Sequence, residues 1–245
     1  MDPSLDREIA ASLDVPSDLL PHLPALYAGL DALGSSPETH VALLRPHAGE
    51  LKAGQVLDLG SGLGTVGIAL ATELELRVLG VDAFEPFVDI ARARAAAAGV
   101  ANLCAFRADD LRRMLEAEGR FEAVVWVAMG GLLGGLADTI ARLRRLVRVG
   151  GYLLIERELA GGGDPAALRA ELTAHGDEVV REVEVPAWQL REAREDALAR
   201  VRARGEALAA EDPAMLLELL HWLDHAAGRD ANGARDVVGL LRRRG

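Results

Sequence analysis

Val56-Leu-Asp-Leu-Gly60-Ser-Gly62-Leu-Gly64-Thr-Val-Gly67 is the stretch on which the reading of this chain turns. A short apolar run, read as a buried strand, passes into a glycine-rich turn that opens a helix. Glycine lets a ligand approach the main chain with no Cβ in the way. The free N–H groups at the helix start favour an anionic group. Twenty residues after Gly62 a second strand ends at Asp82. A carboxylate there only accepts hydrogen bonds, which suits the two hydroxyls of a ribose. The strand order places such a ligand in the crevice at the carboxyl ends of the first two strands.

Outward from this loop, strands and helices alternate. Strands are read at 55–59, 76–81, 102–107, 121–128 and 151–155, with helices at 63–74, 86–98, 111–117 and 136–147 between them. That alternation predicts βαβ units and a parallel sheet covered on both faces. Two further strands are read at 178–185 and 236–241, with charged helices between them broken at Asp212-Pro213. Residues 1–50 read as helical, with Ser36 as an N-cap before Pro37. The expected fold is therefore α/β, a three-layer sandwich with a mostly parallel seven-stranded sheet, an N-terminal helical cap and a C-terminal helical insertion at about 187–228. One domain over 1–245 is expected, with residues 51–160 as the ligand-binding core and 161–245 as the C-terminal part.

Two cofactor classes fit the loop. Gly62-Leu-Gly64-Thr-Val-Gly67 matches the dinucleotide fingerprint G-x-G-x-x-G, a weak signal by itself. Asp58 separates the two. A carboxylate two residues before the first glycine repels a pyrophosphate and attracts an ammonium. The whole run Val56-Leu-Asp58-Leu-Gly60-Ser-Gly62-Leu-Gly64 resembles motif I of the class I S-adenosylmethionine-dependent methyltransferases. Val81-Asp82-Ala83-Phe84 resembles the second motif of that family, and Ala108-Asp109-Asp110-Leu111 the third. Phe121 to Ala128 matches the fourth strand, and Leu143 to Ile155 the helix, Gly-Gly turn and fifth strand.

The resemblance implies S-adenosyl-L-methionine as cofactor. Gly60, Ser61, Gly62 and Gly64 would line it, and Asp58 would face its ammonium. Asp82 would bind the ribose, and Ala83 or Phe84 would lie on the adenine. Asp109 would accept from the adenine amino group, the N–H of Asp110 would reach the ring, and Ala128 would touch the methionine part. The alternatives are an NAD(P)-dependent oxidoreductase and a non-catalytic donor-binding sensor or partner subunit.

Composition narrows the acceptor. The 38 acidic and 27 basic side chains give a net charge of −11, which argues against a nucleic-acid or anionic-membrane partner, since phosphate binding needs a basic stripe. The fourth strand ends Val127-Ala128-Met129-Gly130, without the Asn/Asp-Pro-Pro-aromatic motif of DNA amino methyltransferases. The lone Cys104 lies inside a strand, where a small buried hydrophobe is expected, and excludes internal disulfides and cysteine-rich metal sites. Met1-Asp2-Pro3-Ser4-Leu5-Asp6 predicts no signal peptide, and the longest uncharged stretch, 123–137, is short for a membrane span. A small-molecule acceptor and a cytoplasmic location are expected.

Methyl transfer is an in-line displacement in which positioning supplies much of the acceleration, so few residues need be catalytic. No motif assigns a catalytic residue or an oligomeric state. His40 and Glu156, the latter just past the fifth strand, are candidate bases, against the bland reading of Glu156 as solvated. His221 and His225 share a helix face, but position 222 is Trp and no third ligand is evident, so no metal is expected. Trp188, Leu216, Leu217, Leu220 and Trp222 either line an acceptor pocket under a helical lid or belong to an ordinary solvated helix face.

Overall fold

The computed structural model describes residues 3–30, 36–116, 120–127, 129, 132–159, 164–208, 212–227 and 235–245. The strands are β1 (Val56–Leu59), β2 (Val78–Asp82), β3 (Cys104–Ala108), β4 (Phe121–Trp126), β5 (Val147–Leu159), β6 (Glu178–Val185) and β7 (Arg235–Arg242). They form one sheet in the order β3-β2-β1-β4-β5-β7-β6. The first five run parallel, and β7 runs antiparallel between β5 and β6. The order reverses at β1, which puts a crevice at the carboxyl ends of β1 and β4.

The helices are α1 (Pro3–Leu13), α2 (Leu23–Leu26), α3 (Pro37–Leu44), α4 (Ala48–Leu51), α5 (Thr65–Leu74), α6 (Glu85–Ala97), α7 (Leu111–Met114), α8 (Leu136–Leu143), α9 (Pro165–Thr173), α10 (Ala187–Leu208) and α11 (Pro213–Ala227). All of β1 is buried because helices cover both of its faces. Val56 packs on one side with Val41 and Leu44 of α3, Val66 and Leu70 of α5 and Ala91 of α6. Leu57 and Leu59 pack on the other with Leu111 of α7, Ile140 and Leu143 of α8 and Leu168 of α9. Each such side chain contributes about 1.5–3 kcal/mol on removal from water. The three-layer α/β reading holds.

A third core is separate from these two. Ile9, Leu19, Leu23 and Leu26 from the amino-terminal helices meet Val201, Met215, Leu219 and Leu223 from α10 and α11. Leu63, Phe84 and Phe87, from the turns after β1 and β2, complete it. The amino-terminal helices and the α10–α11 pair inserted before β7 therefore build a joint cap over those turns. Polar contacts tie it together: Trp222 Nε1 donates to the Asp14 carbonyl at 2.7 Å and Arg204 Nε to the Ala25 carbonyl at 3.2 Å.

Local bounds differ: β5 runs Val147–Leu159 where the sequence reads 151–155, β4 ends at Trp126, and α7 spans Leu111–Met114. The helix expected over 136–147 stops at Leu143, because Val147 pairs with Phe121 and starts β5 early. Ser36 occupies the N-cap position of α3, yet its hydroxyl meets Thr39 Oγ1 at 3.0 Å and Glu38 at 3.3 Å rather than a backbone amide.

Candidate donor-binding site

The turn after β1 is held from below. Gly60 N and Ser61 N both donate to the Val81 carbonyl, at 2.8 and 3.1 Å, and Gly64 N closes the turn onto the Ser61 carbonyl at 2.8 Å. Gly60 has φ +80°, and a Cβ there would run into the Met129 side chain. Gly64 has φ +76°, and a Cβ would stand 2.8 Å from Phe106 and 2.9 Å from Ala91. At both positions the left-handed backbone favours glycine, and at Gly64 the Phe106 ring and the Ala91 methyl leave no room for a Cβ.

Asp58 lies beneath this turn, 3 % exposed. Its Oδ2 accepts from Gly67 N at 3.1 Å. Burial pushes its pKa up to about 7; the Gly67 bond and His40 pull it down, and Asp82 pushes it up. Asp82 closes the other side. Its Oδ2 accepts from Gly62 N at 2.8 Å and its Oδ1 from Phe84 N at 2.9 Å. These amides fix the carboxylate in place, and as an acceptor-only group it keeps room for a further hydroxyl donor. Its pKa is also raised, by burial, against the amides of Phe84, Gly62 and Ala83.

Asp58, Gly60, Ser61, Gly62, Gly64 and Asp82 thus come together as read from the sequence. Ser61 Oγ is buried without a hydrogen-bond partner and lies against Gly80. Asp109 joins the cluster through its amide, which donates to the Asp82 carbonyl at 3.0 Å. Its carboxylate stands 3.2 Å from Arg107 and 3.5 Å from Arg113. Glu8 of α1 pairs with Arg112 at 2.6 Å, which links the cap to the loop after β3.

Other assignments change. The Asp110 amide, expected to reach a ring, donates to Asp109 Oδ1 at 2.9 Å, and the Asp110 side chain caps α7 by accepting from Arg112 N. Phe84 is 2 % exposed and meets Phe87 edge-on at 4.8 Å, so its ring belongs to the cap core, while Ala83 is half-buried. Ala128 lies outside the described residues. Of the five residues considered for an acceptor pocket, Trp188 is 65 % and Leu217 71 % exposed, whereas Leu216, Leu220 and Trp222 pack on the cap core. Cys104 is buried, with its thiol pushed up to about 11 by burial and then by Asp58. His221 is exposed, and the side chain of His225 lies outside the described residues.

Three features were not legible as a group. Met129 covers Gly60. His40 and Glu156, read separately, form a buried pair at 2.7 Å. Asp236 on β7 lies beside Glu156 and Glu158, and burial followed by these neighbours pushes its pKa up to about 7. Pairing between residues so far apart in the chain leaves no local signal.

The arrangement suits an adenosyl ligand with a cationic end. Two carboxylates, Asp58 and Asp82, flank bare main chain, and both disfavour a diphosphate. Residues 56–151 match the model of a family described as a methyltransferase domain. In overall structure the chain is similar to an S-adenosylmethionine-dependent methyltransferase from Thiobacillus denitrificans in complex with S-adenosyl-L-homocysteine. The two are 23 % identical, with 90 % of this chain and 97 % of that one covered at a TM-score of 0.69. A second, from Geobacter sulfurreducens with the same ligand, is 23 % identical over 86 % and 92 % of the two chains at a TM-score of 0.70. YjhP from E. coli is 18 % identical over 92 % and 100 % at a TM-score of 0.71.

Proposed function

We propose that this chain, whose residues 56–151 match a methyltransferase-domain model, is a class I S-adenosylmethionine-dependent methyltransferase that methylates a small molecule received at the carboxyl edge of the sheet, beneath the joint cap. When bound, S-adenosyl-L-methionine supplies an electrophilic methyl group on a sulfonium. The work left to this chain is to hold and orient the two reactants.

In this reading Asp82 accepts the ribose hydroxyls, its geometry preset by the amides of Gly62 and Phe84. Asp58 supplies negative charge under the loop for the ammonium end. Gly60, Ser61, Gly62 and Gly64 offer main chain rather than side chain. Ala83 gives the apolar contact for the base, and Asp109 an acceptor at its edge. The observation that carries the reading is the Gly62–Asp82 bond above the buried Asp58.

Two observations support a small acceptor. The net charge of −11 disfavours a polyanion. The cap, built from the amino-terminal helices with α10 and α11, packs onto the turns after β1 and β2 and covers this edge. The whole chain then acts as one methyltransferase domain, its cap helices serving the acceptor. No helix among the described residues is long and apolar enough to cross a membrane.

Calorimetric titration with S-adenosyl-L-homocysteine, and in parallel with NADH, tests the donor. Binding of the first and not the second is expected. Transfer of a labelled methyl group to members of a small-molecule panel, and not to RNA or DNA, tests the acceptor class. Labelling of nucleic acid alone would overturn it.

A further inference from the structure

Glu156 and His40 are not used by the donor contacts above. Glu156 is not solvated: its side chain is 4 % exposed, and the His40 ring facing it is fully buried. Glu156 Oε2 and His40 Nε2 stand 2.7 Å apart, yet neither atom makes a hydrogen bond. His40 Nδ1 is taken by the Ser36 carbonyl at 2.7 Å, which holds the ring with Nε2 turned towards Glu156. Buried polar atoms in native proteins are as a rule hydrogen-bonded, so two that face one spot without partners mark a place for a ligand.

That place continues into a row of carboxylates. In the antiparallel register of β5 and β7, Glu158 lies opposite Asp236 and Glu156 opposite Val238. Side chains two apart share a sheet face, so Glu156, Glu158 and Asp236 stand together with Leu154 on the face that α3 covers. Glu156 is buried, Asp236 half-buried and Glu158 exposed, so the row leads inward from solvent to His40. A cation brought among them would offset the crowding of like charge that, after burial, pushes Asp236 up to about 7. Among the described residues no three His, Cys, Asp or Glu side chains converge as metal ligands would, so the row suits an organic cation.

The row is level with the donor loop. Asp58, Val125 and Leu154 lie side by side across β1, β4 and β5. Gly60 follows Asp58 by two residues, and Glu156 follows Leu154 by two. Glu156 thus lies two strand spacings, about 10 Å, from the loop and on the same sheet face as Asp58. A small molecule spans that distance.

We propose that the methyl acceptor carries a protonated amine, and that Glu156, Glu158 and Asp236 receive it, with His40 closing the inner end of the row. The proposal rests on the methyltransferase reading above and adds the chemical class of the acceptor. A protonated amine brings several N–H donors to oxygens that only accept, and a charge opposite to theirs. An acceptor whose only charge is a carboxylate is repelled by the same row.

Transfer of a labelled methyl group from S-adenosyl-L-methionine tests this on a panel of primary and secondary amines and amino alcohols. Each is matched by the amine-free alcohol and the carboxylic acid of the same carbon skeleton. Label should enter amine-bearing members and not their counterparts. Asp236→Asn and Glu156→Gln each remove one carboxylate. Each should raise KM for the best amine about ten-fold and leave S-adenosyl-L-homocysteine affinity within about two-fold in calorimetry. Label confined to amine-free members, label in no member, or an unchanged KM in both variants overturns the proposal. An equal loss of amine and S-adenosyl-L-homocysteine binding in both variants overturns it too, since that is the mark of a structural role. If Glu156→Gln does not fold, the half-buried Asp236→Asn carries the comparison. Wild type that does not bind S-adenosyl-L-homocysteine overturns the donor reading itself, before the acceptor is in question.

Discussion

Gly62 N donates to Asp82 Oδ2 at 2.8 Å, and this bond joins the turn after β1 to the end of β2. The residue expected to hold a ribose is thereby fixed by the loop expected to hold the rest of the ligand. Asp82→Asn leaves an amide hydrogen facing Gly62 N or Phe84 N and removes the charge. Hydrogen bonds to charged groups contribute about 1.5–3 kcal/mol, so affinity for S-adenosyl-L-homocysteine should fall about 10- to 100-fold in calorimetry. An affinity within two-fold of wild type would remove Asp82 from the site.

Stability should respond to pH through the buried acids. Burial pushes both Asp58 and Asp236 up to about 7, well above the ordinary carboxyl range. A raised folded-state pKa means that the native protein holds the proton more tightly than the unfolded chain. Their stabilising effect is complete below the ordinary carboxyl pKa and is lost as pH rises from about 4 to about 7. Asp58→Asn keeps an oxygen for Gly67 N and carries no charge, so it should remove part of that slope. Relief of about 1 kcal/mol at pH 8 corresponds to a melting temperature about 2–4 °C above wild type, with the gain shrinking towards pH 5. A parallel pair of melting profiles would contradict this.

Gly64→Ala should be costly. A left-handed residue with a Cβ costs about 1–2 kcal/mol, and overpacking against Phe106 and Ala91 adds about 1–3 kcal/mol. Chemical denaturation should show a loss of about 2–5 kcal/mol with the m-value unchanged. Gly99→Ala, also at positive φ (+73°) but with open space around the added Cβ, should lose only the backbone part.

Phe84 separates the core reading from the base-stacking one. Its ring is buried against Phe87 within the cap. Phe84→Leu should lower stability by about 1 kcal/mol and leave donor affinity within about two-fold. A tenfold loss of affinity at full stability would return the ring to the adenine.

The central strands and the donor loop were legible because their signals are local. Short apolar runs end in Gly60, Asp82 and Asp109, and glycine spacing with an acid at a fixed offset reports both backbone shape and charge. What was not legible depends on distant partners. Val147 looks helical beside Leu143 and Leu146, and becomes a strand because Phe121 lies next to it. Phe84 follows the acid as a base-stacking residue would, and is taken into the core because α10 and α11 fold back over the amino-terminal helices. His40 and Glu156 are unremarkable one at a time, and their meaning lies in the 2.7 Å between them.

The central claim is that bare main chain between Asp58 and Asp82 receives an adenosyl thioether with a cationic end. Crystals grown with S-adenosyl-L-homocysteine and NADH together test it most directly. The account predicts S-adenosyl-L-homocysteine on the 60–64 turn, with its ribose hydroxyls within hydrogen-bond distance of the Asp82 carboxylate. A dinucleotide on that turn, or an adenosyl group bound away from Asp82, would contradict it.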